Sequence, residues 1–429
     1  MRFDLLHPAD QLVMIMQRIY QYGMTTTSGG NLSIKDDNGD VWITPSGIDK
    51  GSLTRSDMIR IKPDKTQTGM HRPSVELPLH LEIYRIRPDL RAVLHAHPPT
   101  MIAFSLVRRV PNIRLVPDVL KICGDVGVAE YAVPGSELLG RNIARRFEEG
   151  YNTVLMENHG CVIGARDLFS AFMAFETLDF GGRLEIDALK LGQPRALTEE
   201  QLAAYSRPRS IVMHEFTPRV ASSEERAARR DMCRFIHRSY DQRLVTSTQG
   251  TYSQRIQGDA FLITPYNRDR KYLEPEDLVL IKDGMCQAGM TPSRSVLLHQ
   301  AIYGAHPEIG SVLIAHAPSI MAFAVTSTPF DSRLIPESYI SLREVKKLPF
   351  LSSTNDIRGI ISALSSKAPV VIIENECVVV TGSDLLNAFD RLEVLEYSAR
   401  AVIAAKEIGT PVLIDDEQVK EIKAAFKLD

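Results

Sequence analysis

The chain has 429 residues, too many for one ordinary domain and suited to two of roughly 200. Hydrophobic residues make up 44% and charged residues 24%, the balance of an ordinary soluble globular protein. With 50 basic against 53 acidic side chains, the formal charge of −3 excludes a broad attraction to nucleic acid or an acidic membrane. In chain order, MRFDLLHPADQLVMIMQRIYQYG predicts an amphipathic helix, its apolar positions interrupted by Asp10, Gln11, Gln17 and Arg18, and no signal peptide. A glycine- and serine-rich turn follows at Ser28-Gly29-Gly30-Asn31, then short strands around Ile43-Thr44-Pro45. A helix is expected to open at Pro73-Ser74-Val75-Glu76 and run to Arg87-Pro88. Next come a strand at Ala92-Val93-Leu94, another over Thr153–Met156, and long C-terminal helices. No stretch approaches the roughly 18–20 apolar residues of a membrane helix. Cys123, Cys161, Cys233, Cys286 and Cys377 are scattered without a CxxC pair, which argues against disulfides or a thiolate metal site and predicts a cytoplasmic setting.

The chain repeats itself. WITPSGIDKGSLTRSDMIRIKPD, from Trp42, reappears as LITPYNRDRKYLEPEDLVLIKDG from Leu262, an offset of 220. The stretch containing HAHPPTMIAFS matches IAHAPSIMAFA at 219, and VLMENHGCVIGARDLFSAF matches VIIENECVVVTGSDLLNAF at 217. So small a drift means one fold duplicated with few insertions. Periodicity is lost near residues 206–222, where Pro and Ser collect. The expected organisation is a first domain over 1–212, a linker at 213–222 and a second domain over 223–429. Short apolar strands mixed with amphipathic helices make each copy an α/β sandwich, with a strand order the sequence does not reveal.

In a strand, residues two apart face the same side, so His95 and His97 aim two imidazoles at one point. His159, in MENHG, is a third, with Gly160 expected to allow a tight turn. Three histidines with an open position suit a catalytic zinc ion. The HxH pair by itself is weak evidence, because paired histidines are often structural. The second copy sharpens the reading: His95 becomes Ile314, His159 becomes Glu376, and only His97 persists, as His316. His80 keeps its counterpart, His299, and therefore reads as structural.

Glu76 has two readings: a first-turn acid favoured by the helix dipole, with Ser74 as N-cap, or a general base beside the metal. Its counterpart is Ser295, so it disappears together with the ligands, which favours the second. Gly30 and Asn31, Ser46 and Gly47, and Ser74 lie in turns able to cradle a phosphate through amides and hydroxyls. Singly, each is only a turn. In the second copy Gly250, Thr264, Ser293 and Arg294 could still hold an anion.

The ordered set SGGNLS, ITPSG, PSxE, HxH and NHG resembles the class II aldolase/adducin family, typified by L-fuculose-phosphate aldolase. The resemblance covers Ala9 to about Gln193 in full and Ala228 to about Pro411 in degraded form. It implies tandem α/β/α sandwich domains, fourfold assemblies with sites between neighbours, and Zn2+ or another divalent ion such as Mn2+ on His95, His97 and His159. It also implies Glu76 as acid/base, with phosphate against Gly30, Asn31, Ser46, Gly47 and Ser74. The implied reaction is retro-aldol cleavage of a small ketose 1-phosphate, such as L-fuculose 1-phosphate, to dihydroxyacetone phosphate and an aldehyde. Two departures stand out. Val75 replaces a second phosphate-site serine, and the family's proton-donating tyrosine falls near Pro117, leaving Asp118, Lys121 or a neighbouring domain as substitutes. Related 4-epimerase, decarboxylase and dehydratase activities therefore stay open, as does a non-enzymatic adducin-like scaffold. A homodimer imitating a tetrameric ring of domains is the expected assembly, with no nucleic-acid or membrane partner.

Overall fold

The structure is a computed structural model describing residues 3–207 and 211–428, so residues 208–210 of the expected join lie outside the described residues. Helix α1 (Pro8–Gln21) buries Leu12, Ile15, Met16 and Ile19, the face the apolar spacing predicts. The strands of the first copy follow as β1 (Asn31–Lys35), β2 (Val41–Ile43), β3 (Ile59–Ile61) and β4 (Gln67–Thr68). Helix α2 (Leu77–Ile86) leads to β5 (Ala92–Ala96), helices α3 (Pro99–Leu106) and α4 (Pro117–Cys123), and β6 (Val126–Ala129). Helix α5 (Glu137–Glu148), strands β7 (Thr153–Met156) and β8 (Cys161–Ala165), and the 24-residue helix α6 (Leu168–Leu191) complete the copy.

These strands form one sheet in the order β4-β3-β2-β1-β5-β8-β7-β6, antiparallel except for the β6–β7 pair. β5 lies inside it and is buried along its whole length, His95 included. On one face, Leu79, Ile83 and Tyr84 of α2 and Leu139, Ile143 and Phe147 of α5 pack with Val93, Val154 and Val162 of the sheet. Helix α2 starts later than expected. Its N-cap is Glu76, and Pro73–Val75 precede it, paired to the ITP segment by a bridge between Pro45 and Pro73.

The strands of the second copy are β9 (Glu215–Phe216), β10 (Thr251–Arg255), β11 (Phe261–Ile263), β12 (Val279–Lys282), β13 (Met285–Gln287), β14 (Ser311–Ala315), β15 (Val345–Leu348), β16 (Val370–Ile373) and β17 (Cys377–Gly382). The order repeats, with β10 between β11 and β14, followed by β17 and β16. The pairing repeats to the residue: Asn31 faces His95 across β1 and β5, and Thr251 faces Ile314 across β10 and β14. The chain divides into two compact units, one holding Asp118–Gly182 and the chain before Leu115, the other holding Leu115–Pro117 and the chain from Arg183 onward. Helix α6 thus crosses the division. Among the described residues no helix is long and apolar enough to cross a membrane.

Leu94 is fully buried in β5, and Trp42 of β2 is the single tryptophan. Leu94→Ala should destabilise the first copy by about 2–5 kcal/mol through the cavity it leaves, read as an earlier urea midpoint in Trp42 fluorescence.

Candidate active site

Strand β5 presents His95, its next outward step presents His97, and the β7–β8 turn presents His159. One ring nitrogen from each lies within 4.8 Å of the others. The Nε2 atoms of His95 and His97 are 2.9 Å apart. His95 Nδ1 is 3.0 Å from the Cys161 carbonyl; donation of its proton there leaves Nε2 with a lone pair towards the cluster. Burial, and after it the neighbouring His95 imidazole, pushes His97 down to about 3 and His159 to about 4. Both are therefore neutral imidazoles at neutral pH, the form that ligates a cation. His159 Nδ1 is buried with no hydrogen-bond partner among the described residues, a cost that ligation or polar contact would relieve. The donor set fits a divalent metal of borderline softness.

The turn at His159 works differently from the expectation for Gly160. The left-handed residue is Asn158, at φ 54°, while Gly160 is required by close approach: a Cβ there would come within 2.4 Å of the Ala96 carbonyl oxygen and 2.8 Å of His97. Gly29 likewise abuts His97 Nδ1, at 2.8 Å from a built Cβ. Two glycines thus seat His97.

Glu76 is 6% exposed, with Oε2 3.3 Å from His95 Nε2 and 2.6 Å from Asn31 Nδ2. Burial acts against its charge, but His95, the Asn31 amide and His159 outweigh it, and the carboxyl is held below the usual glutamate range. It is the N-cap residue but makes no side-chain capping bond; instead Ser74 Oγ accepts from the Glu76 N–H at 3.3 Å. Its carboxylate therefore serves the histidine cluster and not the helix end.

Of the predicted cradle residues, Ser46 and Ser74 lie in two segments that the backbone ties together. Ser74 N–H donates to the Thr44 carbonyl, Ser46 N–H to the Arg72 carbonyl, and Leu32 N–H to Thr44 Oγ1. These amides are engaged, so Ser46 and Ser74 have hydroxyls to offer an anion. The Asn31 side chain is held between Glu76 and His80. Gly30 has φ 71°, and a Cβ there would lie 2.8 Å from the His95 carbonyl oxygen. Gly47 has φ 70° with open space where a Cβ would be, and Asn267 keeps that left-handed conformation in the second copy, at φ 50°. Of the proposed proton-donor substitutes, Asp118 on α4 is buried and Lys121 is exposed.

Two residues escaped the sequence reading. Thr25 Oγ1 is buried without a partner among the described residues, 3.0 and 3.2 Å from the positions a Cβ on Gly29 or Gly30 would take. Lys50 is 1% exposed, its Nζ donating to the Pro45 carbonyl, and burial alone brings it down to about 8. The signal for Lys50 was its counterpart Arg270, also buried, which holds the Pro265 and Gly250 carbonyls.

Among the described residues the second copy has no such cluster. Ile314 is core, and the Glu376 carboxylate accepts from Leu351 N–H at 3.1 Å and from the Ser353 hydroxyl. Thr251 bonds Ser293 at 2.6 Å, and Ser293 bonds Ser295 at 3.2 Å. For the anion site expected there, Arg294 lies over the Tyr266 ring at 5.6 Å.

The family model for the class II aldolase and adducin N-terminal domain matches residues 10–186 and again residues 230–403. The chain belongs to that family, in tandem, and at family level a metal-dependent aldolase-type enzyme fits it. It is similar to a 3-oxo-tetronate 4-phosphate decarboxylase of Pectobacterium atrosepticum, at 30% identity over 46% of this chain and 91% of that protein. An L-fuculose phosphate aldolase of Methanococcus maripaludis is likewise 30% identical, over 39% of this chain and 91% of its own length. A 5-deoxy-D-ribulose 1-phosphate aldolase of Bacillus thuringiensis serovar kurstaki is 28% identical over 45% and 91%.

Gly160→Ala should lower affinity for a divalent ion about 10–100-fold by displacing His97, measured by calorimetric titration of metal-free protein. In the second copy, burial holds His299 at about 3. Because the unfolded imidazole takes up a proton below about 6.5 and the folded one does not, stability is full above that pH and lost as pH falls towards 3. Between pH 5.5 and 4.5 this group should cost about 1.4 kcal/mol per unit. His299→Gln should flatten the slope of urea-derived stability against pH by that amount.

Proposed function

We propose that the protein is a Zn2+-dependent lyase, or one using another divalent ion such as Mn2+, acting on a small phosphorylated sugar in the cytoplasm. The reaction we favour is cleavage of a ketose 1-phosphate, such as L-fuculose 1-phosphate, to dihydroxyacetone phosphate and an aldehyde. The observation that carries this reading is the conjunction of three clustered imidazoles with a buried carboxylate 3.3 Å from one of them. His95, His97 and His159 would hold the ion, which when bound supplies Lewis acidity towards a developing oxyanion.

The rest is work for the chain's own groups. Glu76, ionised and fixed by Asn31, takes the hydroxyl proton released as the carbon–carbon bond breaks and returns a proton to the carbon left electron-rich. Ser46, Gly47, Ser74 and Gly30 hold the phosphate, with the Thr25 hydroxyl beside them. Lys50, beneath the Pro45 carbonyl, adds positive potential without needing to touch the ligand. Excluding water from a buried carboxylate raises the force of each of these contacts.

A second reading has a specific observation behind it: the identity to the decarboxylase equals that to the fuculose phosphate aldolase. Both reactions leave an electron pair on a carbon beside a carbonyl, so the same Glu76 would serve either. A homodimer forming a ring of four domains completes the proposal.

The test is metal analysis of purified protein, coupled to a panel of ketose 1-phosphates and 3-oxo-tetronate phosphates. About one divalent ion per chain is expected, with turnover of one class. Glu76→Gln should retain the metal and lose at least about 100-fold in kcat. Absence of stoichiometric metal together with an inert panel would falsify the lyase reading.

A further inference from the structure

We infer that His80 is a positioning residue for Glu76, acting through the Asn31 side chain, and that this is a role its packing neighbours do not need. The inference rests on the reading of Glu76 as the acid/base.

Glu76, His80 and Tyr84 follow one another at four-residue steps around α2, so they share one face of the helix. Asn31 and Ser33 stand two apart on β1 and share one face of the strand. The two periods mesh. Glu76 Oε2 lies 2.6 Å from Asn31 Nδ2, and Asn31 Oδ1 lies 2.5 Å from His80 Nε2. His80 Nδ1 lies 2.6 Å from Ser33 Oγ, and Ser33 Oγ lies 2.8 Å from Tyr84 OH.

Only one proton arrangement satisfies every link. The Asn31 Nδ2 group lies 2.6 Å from Glu76 Oε2, and an amide N–H can only donate, so the Asn31 NH2 faces Glu76. The Asn31 carbonyl then faces His80, which must donate from Nε2. His80 Nδ1 is consequently bare and accepts from Ser33, whose oxygen in turn accepts from Tyr84. The opposite tautomer would turn the Asn31 carbonyl onto the carboxylate and set two acceptors against each other at 2.6 Å. One proton on His80 therefore decides which end of the amide meets the base.

The second copy separates packing from positioning. Ser253 Oγ lies 2.6 Å from His299 Nδ1 and 2.7 Å from Tyr303 OH, so the serine–histidine–tyrosine group survives intact. Thr251 stands in place of Asn31 and Ser295 in place of Glu76. His299 Nε2 is then buried without a partner among the described residues. The serine and tyrosine contacts of the ring form there without an asparagine on that nitrogen. What Nε2 does in the first copy belongs to Asn31 and, through it, to Glu76.

The decisive measurement is the tautomer of His80 in full-length metal-free protein labelled with 15N-histidine and 15N-asparagine, read from long-range proton–nitrogen correlations. The expected result is a protonated Nε2 and a bare Nδ1. His80→Asn keeps a group at the Nδ1 position but cannot reach Asn31, whereas His80→Gln places an amide N–H where Nε2 was. The Asn31 side-chain amide resonances should shift in His80→Asn and return towards wild type in His80→Gln, with metal content unchanged in both. On a turned-over substrate, kcat should fall about 10–100-fold in His80→Asn with KM unchanged, and recover in His80→Gln. A protonated Nδ1 in the wild type, or Asn31 resonances indifferent to His80→Asn, overturns the assignment. These spectra need no substrate, so an inert panel sinks the lyase reading and a wrong tautomer sinks this one.

Discussion

The site depends on the antiparallel pairing of β1 with β5. That register sets Asn31 opposite His95 and Ser33 opposite Val93, and a slip of one residue would turn Asn31 to the other face. Because β5 is buried along its length, its backbone groups must be satisfied by β1 and β8, which leaves the register little freedom. Helix α2 then lies over this pair, and its Glu76 and His80 meet Asn31 from above. Strand pairing and helix placement together bring His95, Asn31 and Glu76 to one place.

Burial does the electrostatic tuning. His97 and His159 are kept neutral because a charged imidazole loses hydration there. The Glu76 carboxyl is held below the usual glutamate range in the same surroundings, with the Asn31 amide donating to it. Lys50 and Arg270 meet the same problem in different ways. The arginine fork spreads over the carbonyls of Gly250, Pro265 and Arg268, whereas Lys50 Nζ donates to Pro45 and its proton is held less tightly. A buried cation under this turn belongs to both copies, so it supports the turn before it supports any chemistry.

Much of this was legible in residue order. The i, i+2 spacing of His95 and His97 announces a shared face without any knowledge of the sheet, and the internal repeat marks His95, His159 and Glu76 by their joint loss. The strand order was not legible, since hydrophobic period reports which face is buried and not which strand is adjacent. Nor was the bond from Asn31 to Glu76, which joins residues 45 apart through one register and one helix placement. Gly160 was flagged for a turn when its constraint is the Ala96 carbonyl, a contact that only the folded β5–β8 pair creates.

His80 exposes the limit of reading function from what a duplicate discards. Its retention as His299 made it look structural, and in part it is: serine and tyrosine hold both rings alike. Yet a histidine has two nitrogens, and identity of the residue does not establish identity of both contacts. A duplicated copy released from selection on chemistry can lose Asn31 and Glu76 by single substitutions, because threonine and serine fit their places. It cannot as readily lose the histidine, because Ser253 and Tyr303 would then be left buried beside a cavity. In His299 the two sides of the ring come apart: Nδ1 keeps its serine, as in the first copy, while Nε2 is buried without a partner among the described residues.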